Sequence, residues 1–365
     1  MQEFFASPAF LPVAGILAGT VLGYAARRQH FCTMAALERY WYAGDGSGVR
    51  TWVLAAAFAL IATQVLSFAG LADPARSFYL APSFGLTGAI LGGLAFGFGM
   101  ALVGTCGFGA LVRAGGGSLR ALVVILVLGL SALAAQRGLL ALLRVEAVDK
   151  LAIDLSFAGD QSIGAIVSAL SGVDLRLAVA VLVAAGLLCW ALAGGAGRLS
   201  RGAVATAGVV GAVIAFGWVA TTLAARASFM PVQVEAGSFV VPVADTILQA
   251  IAFTGQGPDY GVGLVLGVVA GAALCAWRRH DIRWEACDDA RELGRHLVGG
   301  FLMGAGGVFA LGCTIGQGIT AVSALAVSAP FVIFSIALGA RMGLAYLIEG
   351  SPLAAFRRFG SEPAE

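Results

Sequence analysis

Two cysteines sit in glycine-rich breaks between apolar runs. Cys106 lies in GTCGFGALVRAGGGS (104–118) and Cys313 in LGCTIGQGITAVSAL (311–325). Thr105, Gly107, Gly109 and Arg113 surround the first; Gly312, Thr314, Gly316 and Gln317 surround the second. A neutral thiol is a weak donor and a weak acceptor, with a polarisable sulfur. Beside hydroxyls and an amide it suits a small anion that must be touched and then released. Cys as a small buried hydrophobe is the plain alternative. For Cys189 and Cys275, each inside an ordinary apolar run, that reading is preferred. Cys287, in RWEACDDAREL, reads as a solvent-facing thiol. Cys32, which follows Arg27, Arg28 and His30, is the third candidate.

Other chemistries lack their residues. No CxxC pair or zinc spacing occurs, and the three His stand apart at positions 30, 280 and 296. Neither a metal nor a cofactor is expected. No GxxxxGK[ST] loop is present, so the chain should carry no ATPase. A disulfide framework is not expected either. Arg113 and a helix start capped by Ser118 suit an anion, and Arg341, in LGARMG of the last span, can face a pathway or snorkel to the interface.

These residues need elements to hold them in a bilayer. Of 365 residues, 59% are hydrophobic and 12% charged, and the net charge is +2. The mean hydropathy is +0.92. Soluble domains carry roughly 25% charge. Apolar runs near 20 residues recur, the length that crosses a bilayer. The fold class is therefore an all-α polytopic membrane protein with about nine spans: 9–26, 51–70, 83–103, 119–140, 176–194, 202–224, 260–277, 297–311 and 329–348. The stretches 163–170 and 243–253 read as short interfacial helices. The first ten residues hold no Lys or Arg, so 10–26 reads as a true span rather than a cleaved leader. No separate soluble domain is visible, and no nucleic-acid partner is expected.

With the N-terminus outside, the inner loops collect Arg27, Arg28, Arg39, Arg50, Arg113, Arg120, Arg198, Arg201, Arg278, Arg279, Arg283, Arg291, Arg295, Arg357 and Arg358. That is most of the 22 basic residues, so the N-out, C-in orientation follows. No Asp or Glu falls inside the strong spans, so coupling through a buried carboxylate is not expected. Three glycines within a few residues weaken a helix by about 1 kcal/mol each. Broken backbone at membrane depth survives only when buried or lining a cavity. The 297–311 run reaches only about 22 Å at helical rise, short of the roughly 30 Å hydrocarbon core. Both cysteine loops are accordingly expected to be broken-helix or re-entrant elements.

Aligning Cys106 with Cys313 brings Gly92, Gly93, Gly97, Gly99 and Gly109 onto Gly299, Gly300, Gly304, Gly306 and Gly316. The two copies run in opposite directions across the membrane, the sign of an inverted-repeat transporter with its site at the repeat interface. One transport domain (1–365) with halves near 9–194 and 202–348 is expected. A second match, of Gly15, Gly19 and Gly23 to Gly263, Gly267 and Gly271, runs in the same direction in both copies and reads first as close helix packing.

GFGMALVGTCGFGALVRAGGGSL and GGFLMGAGGVFALGCTIGQGITAVSAL resemble the two signature segments of the YeeE/YedE family of sulfur-transport membrane proteins. RRQHFCTMAA resembles its N-terminal cysteine segment, and the likeness spans roughly 10–345. The resemblance implies an hourglass-like protein of a bacterial inner membrane that takes up thiosulfate. By motif match its three functional cysteines are Cys32, Cys106 and Cys313. It implies substrate passing through weak S–H···S and S–H···O contacts, with a small TusA-like sulfur carrier as a cytoplasmic partner. Thr105 stands before Cys106 where the second copy has Gly312, and the outer stretch 144–175 is acidic. Three alternatives stay open: transport of another sulfur or selenium species, a membrane thiol sulfurtransferase, and a structural subunit.

Overall fold

A computed structural model describes residues 5, 7–193, 199–229, 231–254, 257–287 and 289–357. Met1–Phe4, on which the absence of a leader partly rests, and Arg198 and Arg358 of the basic loops lie outside the described residues. Eight helical stretches among those described are long and apolar enough to cross a membrane. Among the described residues the fold is all-α apart from one two-residue strand pair, Ser83–Phe84 with Ile153–Asp154.

The helices run α1 (Phe10–Gln29), α2 (Thr33–Tyr42), α3 (Ser47–Phe68), α4 (Gly93–Val103, entered through a π-turn at Gly88–Gly92), α5 (Gly107–Gly115) and α6 (Leu119–Arg137). Then come α7 (Leu139–Ala147), α8 (Ile163–Ser171), α9 (Arg176–Ala193), α10 (Arg201–Ala227) and α11 (Val241–Ile251). The rest are α12 (Tyr260–Arg278), α13 (Ala290–Phe309), a π-helical segment Gly316–Ala321, α14 (Ser328–Glu349) and the short α15 (Ala354–Arg357). The short apolar helices read at 163–170 and 243–253 are α8 and α11.

Helix α13 differs from the span read in the sequence. Residues 297–309 of the run read at 297–311 are the apolar part of a 20-residue helix, about 30 Å long at helical rise, and this read span is not among the eight. Its first turns are polar: Asp289 caps it, its Oδ1 accepting from Glu292 N–H at 2.6 Å, and Arg291, Glu292 and Arg295 follow. Those charges hid the helix start from a reading based on apolar length. The break comes at the other end, where Leu311 and Gly312 have φ of 55° and 156°.

Small residues set the packing. Without a hydrophobic force between helices in lipid, close backbone approach carries the association. Helices α1 and α12 lie parallel: a Cβ at Gly19 would stand 2.2 Å from Leu264 O, and one at Gly267 would stand 2.4 Å from Ile16 O. The same-direction glycine match therefore marks a packing seam. Helices α4 and α13 lie antiparallel: a Cβ at Gly92 would meet Gly306 O at 2.6 Å and one at Gly99 would meet Gly299 O at 2.5 Å. Helix α4 also packs on α14, as α13 does on α6, and α3 packs on α10 as α1 does on α12.

The core runs through the centre of this bundle, from Leu22 and Met34 through Phe96, Cys106 and Phe108 to Cys313 and Ile319. Large apolar side chains such as Leu177, Val181 and Leu182 on α9 point outward, as a helix solvated by lipid requires.

Candidate functional site

Each cysteine loop is built the same way. Helix α4 ends at Val103, and Gly104 turns the chain in the left-handed region (φ 75°), where a Cβ is disfavoured. Arg113 Nη2 donates to Gly104 O at 3.0 Å, satisfying a carbonyl at that helix end. Cys106 then caps α5, its Sγ accepting from Gly109 N–H at 3.4 Å. After α13, Leu311 and Gly312 make the corresponding turn, and Cys313 Sγ accepts from Gly316 N–H at 3.4 Å. Both thiols thus sit at helix starts, where unpaired N–H groups and the macrodipole favour negative charge.

The three thiols come together. Cys106 and Cys313 are fully buried, and Cys106 has Cys32, Thr314 and Cys313 beside it. Cys32 occupies the position just before α2, in the turn after α1, with no capping bond from its thiol; its Sγ lies 3.8 Å from Thr105 Oγ1. Thr314 Oγ1 is buried next to the Cys106 sulfur, with its hydroxyl toward that thiol. Gly109 must lack a side chain: its Cβ would stand 2.2 Å from Thr105 Oγ1 and 3.6 Å from Cys32 Sγ. Gly107 lies against Leu128, where a Cβ would be 3.1 Å from Cδ1.

Gln317 is at the site with its polar atoms already engaged. Its Nε2 donates to Ala310 O (3.0 Å) and Leu311 O (3.1 Å), and its Oε1 accepts from Ser328 Oγ (3.1 Å). It holds the Cys313 turn in shape. Arg341 is held elsewhere: its guanidinium lies 5.6 Å from the Trp41 ring and its Nε donates to Ala355 O at 3.2 Å. The structure does not bring it to the thiols.

Several residues around the loops escaped the sequence reading. Tyr79 OH and Ser238 Oγ converge on Gly316, where a Cβ would meet them at 2.8 and 3.1 Å. Trp52 closes on Gly318 and stacks on Phe31 at 5.3 Å; Phe239 packs on Phe108 at 4.9 Å. Tyr79, Ser238 and Phe239 belong to stretches read as connections, and no local pattern marks them. Residues 234–240, without regular secondary structure, are wedged into the core. Thr221 Oγ1 accepts from Glu235 N–H at 3.2 Å, and Thr320 Oγ1 donates to Gly237 O at 2.7 Å. Threonines on the flanking elements satisfy backbone that no helix ladder serves. Glu235, outside the spans, rides on this segment; burial, with Asp259 and Asp245 nearby, pushes its carboxyl up to about 8.

Two cavities reach the Cys32–Thr105 contact. One, of about 330 Å³, is lined by Cys32, His30 and Arg39. The other, of about 490 Å³, is lined by Thr105, Arg113 and Ser118 with further arginines. Among the described residues no cluster of His, Cys, Asp and Glu fits a metal ion.

A family model described as sulphur transport matches residues 28–342. The chain is 28% identical over 323 residues to the thiosulfate transporter TsuA of Spirochaeta thermophila, covering 86% of this chain and 92% of that protein. It is 24% identical over 318 residues to the thiosulfate transporter TsuA of Escherichia coli, covering 84% and 86%. Cys32, Cys106 and Cys313 all fall inside the matched region, and with eight apolar spans around them the chain belongs to the sulphur transport family of polytopic membrane proteins.

Proposed function

We propose that this protein carries thiosulfate inward across a bacterial inner membrane, past Cys313, Cys106 and Cys32 in turn, without a covalent intermediate. The observation that carries the reading is the convergence of the three thiols on Thr105 and Thr314 from three distant segments. Relatives named for thiosulfate transport support the substrate. Two helix starts supply N–H groups and favourable dipoles for a dianion. The thiols add soft contacts, and Thr314 a hydroxyl beside the Cys106 sulfur. None of these holds an anion as firmly as a buried guanidinium would, and conduction needs binding weak enough to release.

The pseudo-symmetric packing supports halves of 9–194 and 202–348 related as inverted repeats, with the thiols at their interface. In this reading the N-terminus faces the periplasm, the basic loops face the cytoplasm, and a small TusA-like carrier takes sulfur from that side. A sulfurtransferase would need a thiolate held by a nearby cation. Cys106 and Cys313 face hydroxyls and backbone N–H groups, whereas Cys32 shares its cavity with His30 and Arg39, so a persulfide trapped on Cys32 after exposure to thiosulfate would favour that alternative.

The test is uptake of radiolabelled thiosulfate by cells lacking other sulfur routes. Cys106→Ala and Cys313→Ala should each cut uptake at least about tenfold at equal membrane levels, a loss of roughly 1.4 kcal/mol in the limiting step. Normal uptake by both variants would end the proposal.

A further inference from the structure

The 490 Å³ cavity beyond Thr105 has an unbalanced charge. Five arginines line it against three carboxylates. The carboxylates are taken: Asp281 pairs with Arg27 and Arg283, each at 3.3 Å, and Glu285 and Glu292 both pair with Arg120, at 2.9 and 2.8 Å. Arg113 spends one N–H on the neutral Gly104 carbonyl. Arg295 makes no hydrogen bond or ion pair among the described residues. Two positive charges are therefore left uncompensated, on α5 and on the first turns of α13.

The cavity is a built structure. The α12–α13 connection is strapped across the start of α6 by Arg283 N–H to Gly116 O (3.0 Å) and Leu119 N–H to Glu285 O (2.8 Å). A Cβ at Gly116 would stand 2.0 Å from Arg27 Nη1 and would push that guanidinium aside. Buried His296 is fixed on the cavity wall by Nδ1, which donates to Glu292 O at 2.7 Å. The strap and the three paired arginines hold the wall rigid, while the two free guanidinium groups stay exposed in the cavity.

We infer that this cavity is an anion-binding release site, in which Arg113 and Arg295 hold the transported oxyanion after it passes Thr105. The inference rests on the thiosulfate reading for its ligand, and its chemistry is that of a small divalent oxyanion. Two cationic forks match two negative charges. Because both are solvent-exposed, salt screens them and the ion leaves readily. The site would raise the local concentration of substrate at the exit.

Binding of radiolabelled thiosulfate to the purified full-length protein tests this. Arg295→Gln and Arg113→Gln should each weaken binding about tenfold, as loss of one charge-assisted contact does, and Arg295→Lys should keep most of it. Excess sulfate should displace thiosulfate from the wild type, since the site reads charge. Adding phosphatidylglycerol to the micelles should leave binding unchanged. Binding by both Gln variants at wild-type strength, displacement by the lipid alone, or no wild-type binding would each overturn the inference. Arginine-dependent binding without cellular uptake would leave this site standing and remove the transport reading. Uptake with arginine-independent binding would do the reverse.

Discussion

Gln317 illustrates how a residue can belong to a site without facing a substrate. From its neighbours it reads as a donor beside Cys313; in the fold both its N–H groups go to the carbonyls of Ala310 and Leu311. Leu311 has a positive φ, disfavoured for a side chain of its type, and the amide helps to hold that turn. Gln317→Leu leaves the buried Ala310 carbonyl unpaired, at a cost of about 1–3 kcal/mol, and the half-buried Leu311 carbonyl without its amide partner. The expected outcome is a melting temperature several degrees below wild type in detergent, with thiosulfate uptake reduced. An unchanged melting temperature would mean the carbonyls find other partners. Arg341 shows the complementary case: a charge inside a span whose long stem lets the head reach Trp41 and the α15 carbonyl of Ala355.

At the scale of elements, the stretch before α11 is the largest surprise. A polar, non-periodic run reads as an external connection, yet 234–240 lies in the core, served by Thr221 and Thr320. Glu235 consequently sits where no strong span contains a carboxylate. Its folded value is raised, to about 8 from an ordinary 4.5, chiefly by burial. The stability that comes with its neutral form is therefore complete below about pH 4.5 and lost as pH rises through about 8. Asp245, raised to about 6 by burial and by Asp259, adds to the same trend. Melting temperature should fall between pH 5 and roughly 8.5 in the wild type, and Glu235→Gln should flatten that slope. A slope as steep in the variant would show that other groups set it. By contrast, the α1–α12 seam was legible, because glycines four apart present one flat helix face.

For the whole molecule, the distribution of arginine supports the proposed orientation, and the antiparallel packing of α4 on α13 supports the proposed repeat. The inner-loop arginines named from the sequence include four that line the cavity beyond Thr105 together with Arg27: Arg113, Arg120, Arg283 and Arg295. If the C-terminus lies on that side, as proposed above, a fluorescent reporter that matures only in the cytoplasm should glow when fused after the last residue. An alkaline phosphatase fused at the same point should be inactive. The reverse pair of results would invert the direction of transport proposed above.

The amino-acid sequence determined by itself that this is a helical membrane protein, where most of its spans fall, and that Cys106 and Cys313 occupy equivalent glycine-broken loops. Apolar length, glycine spacing and charge asymmetry are local properties, and a bilayer imposes them on the chain one segment at a time. The tertiary structure alone decided that Cys32 meets Thr105 across 73 positions of sequence, that Tyr79 and Ser238 close on Gly316, and that two of five clustered arginines keep their charge free. Those outcomes depend on which helices can approach closely enough to pack. That is a property of pairs of distant surfaces and is not written in any one stretch.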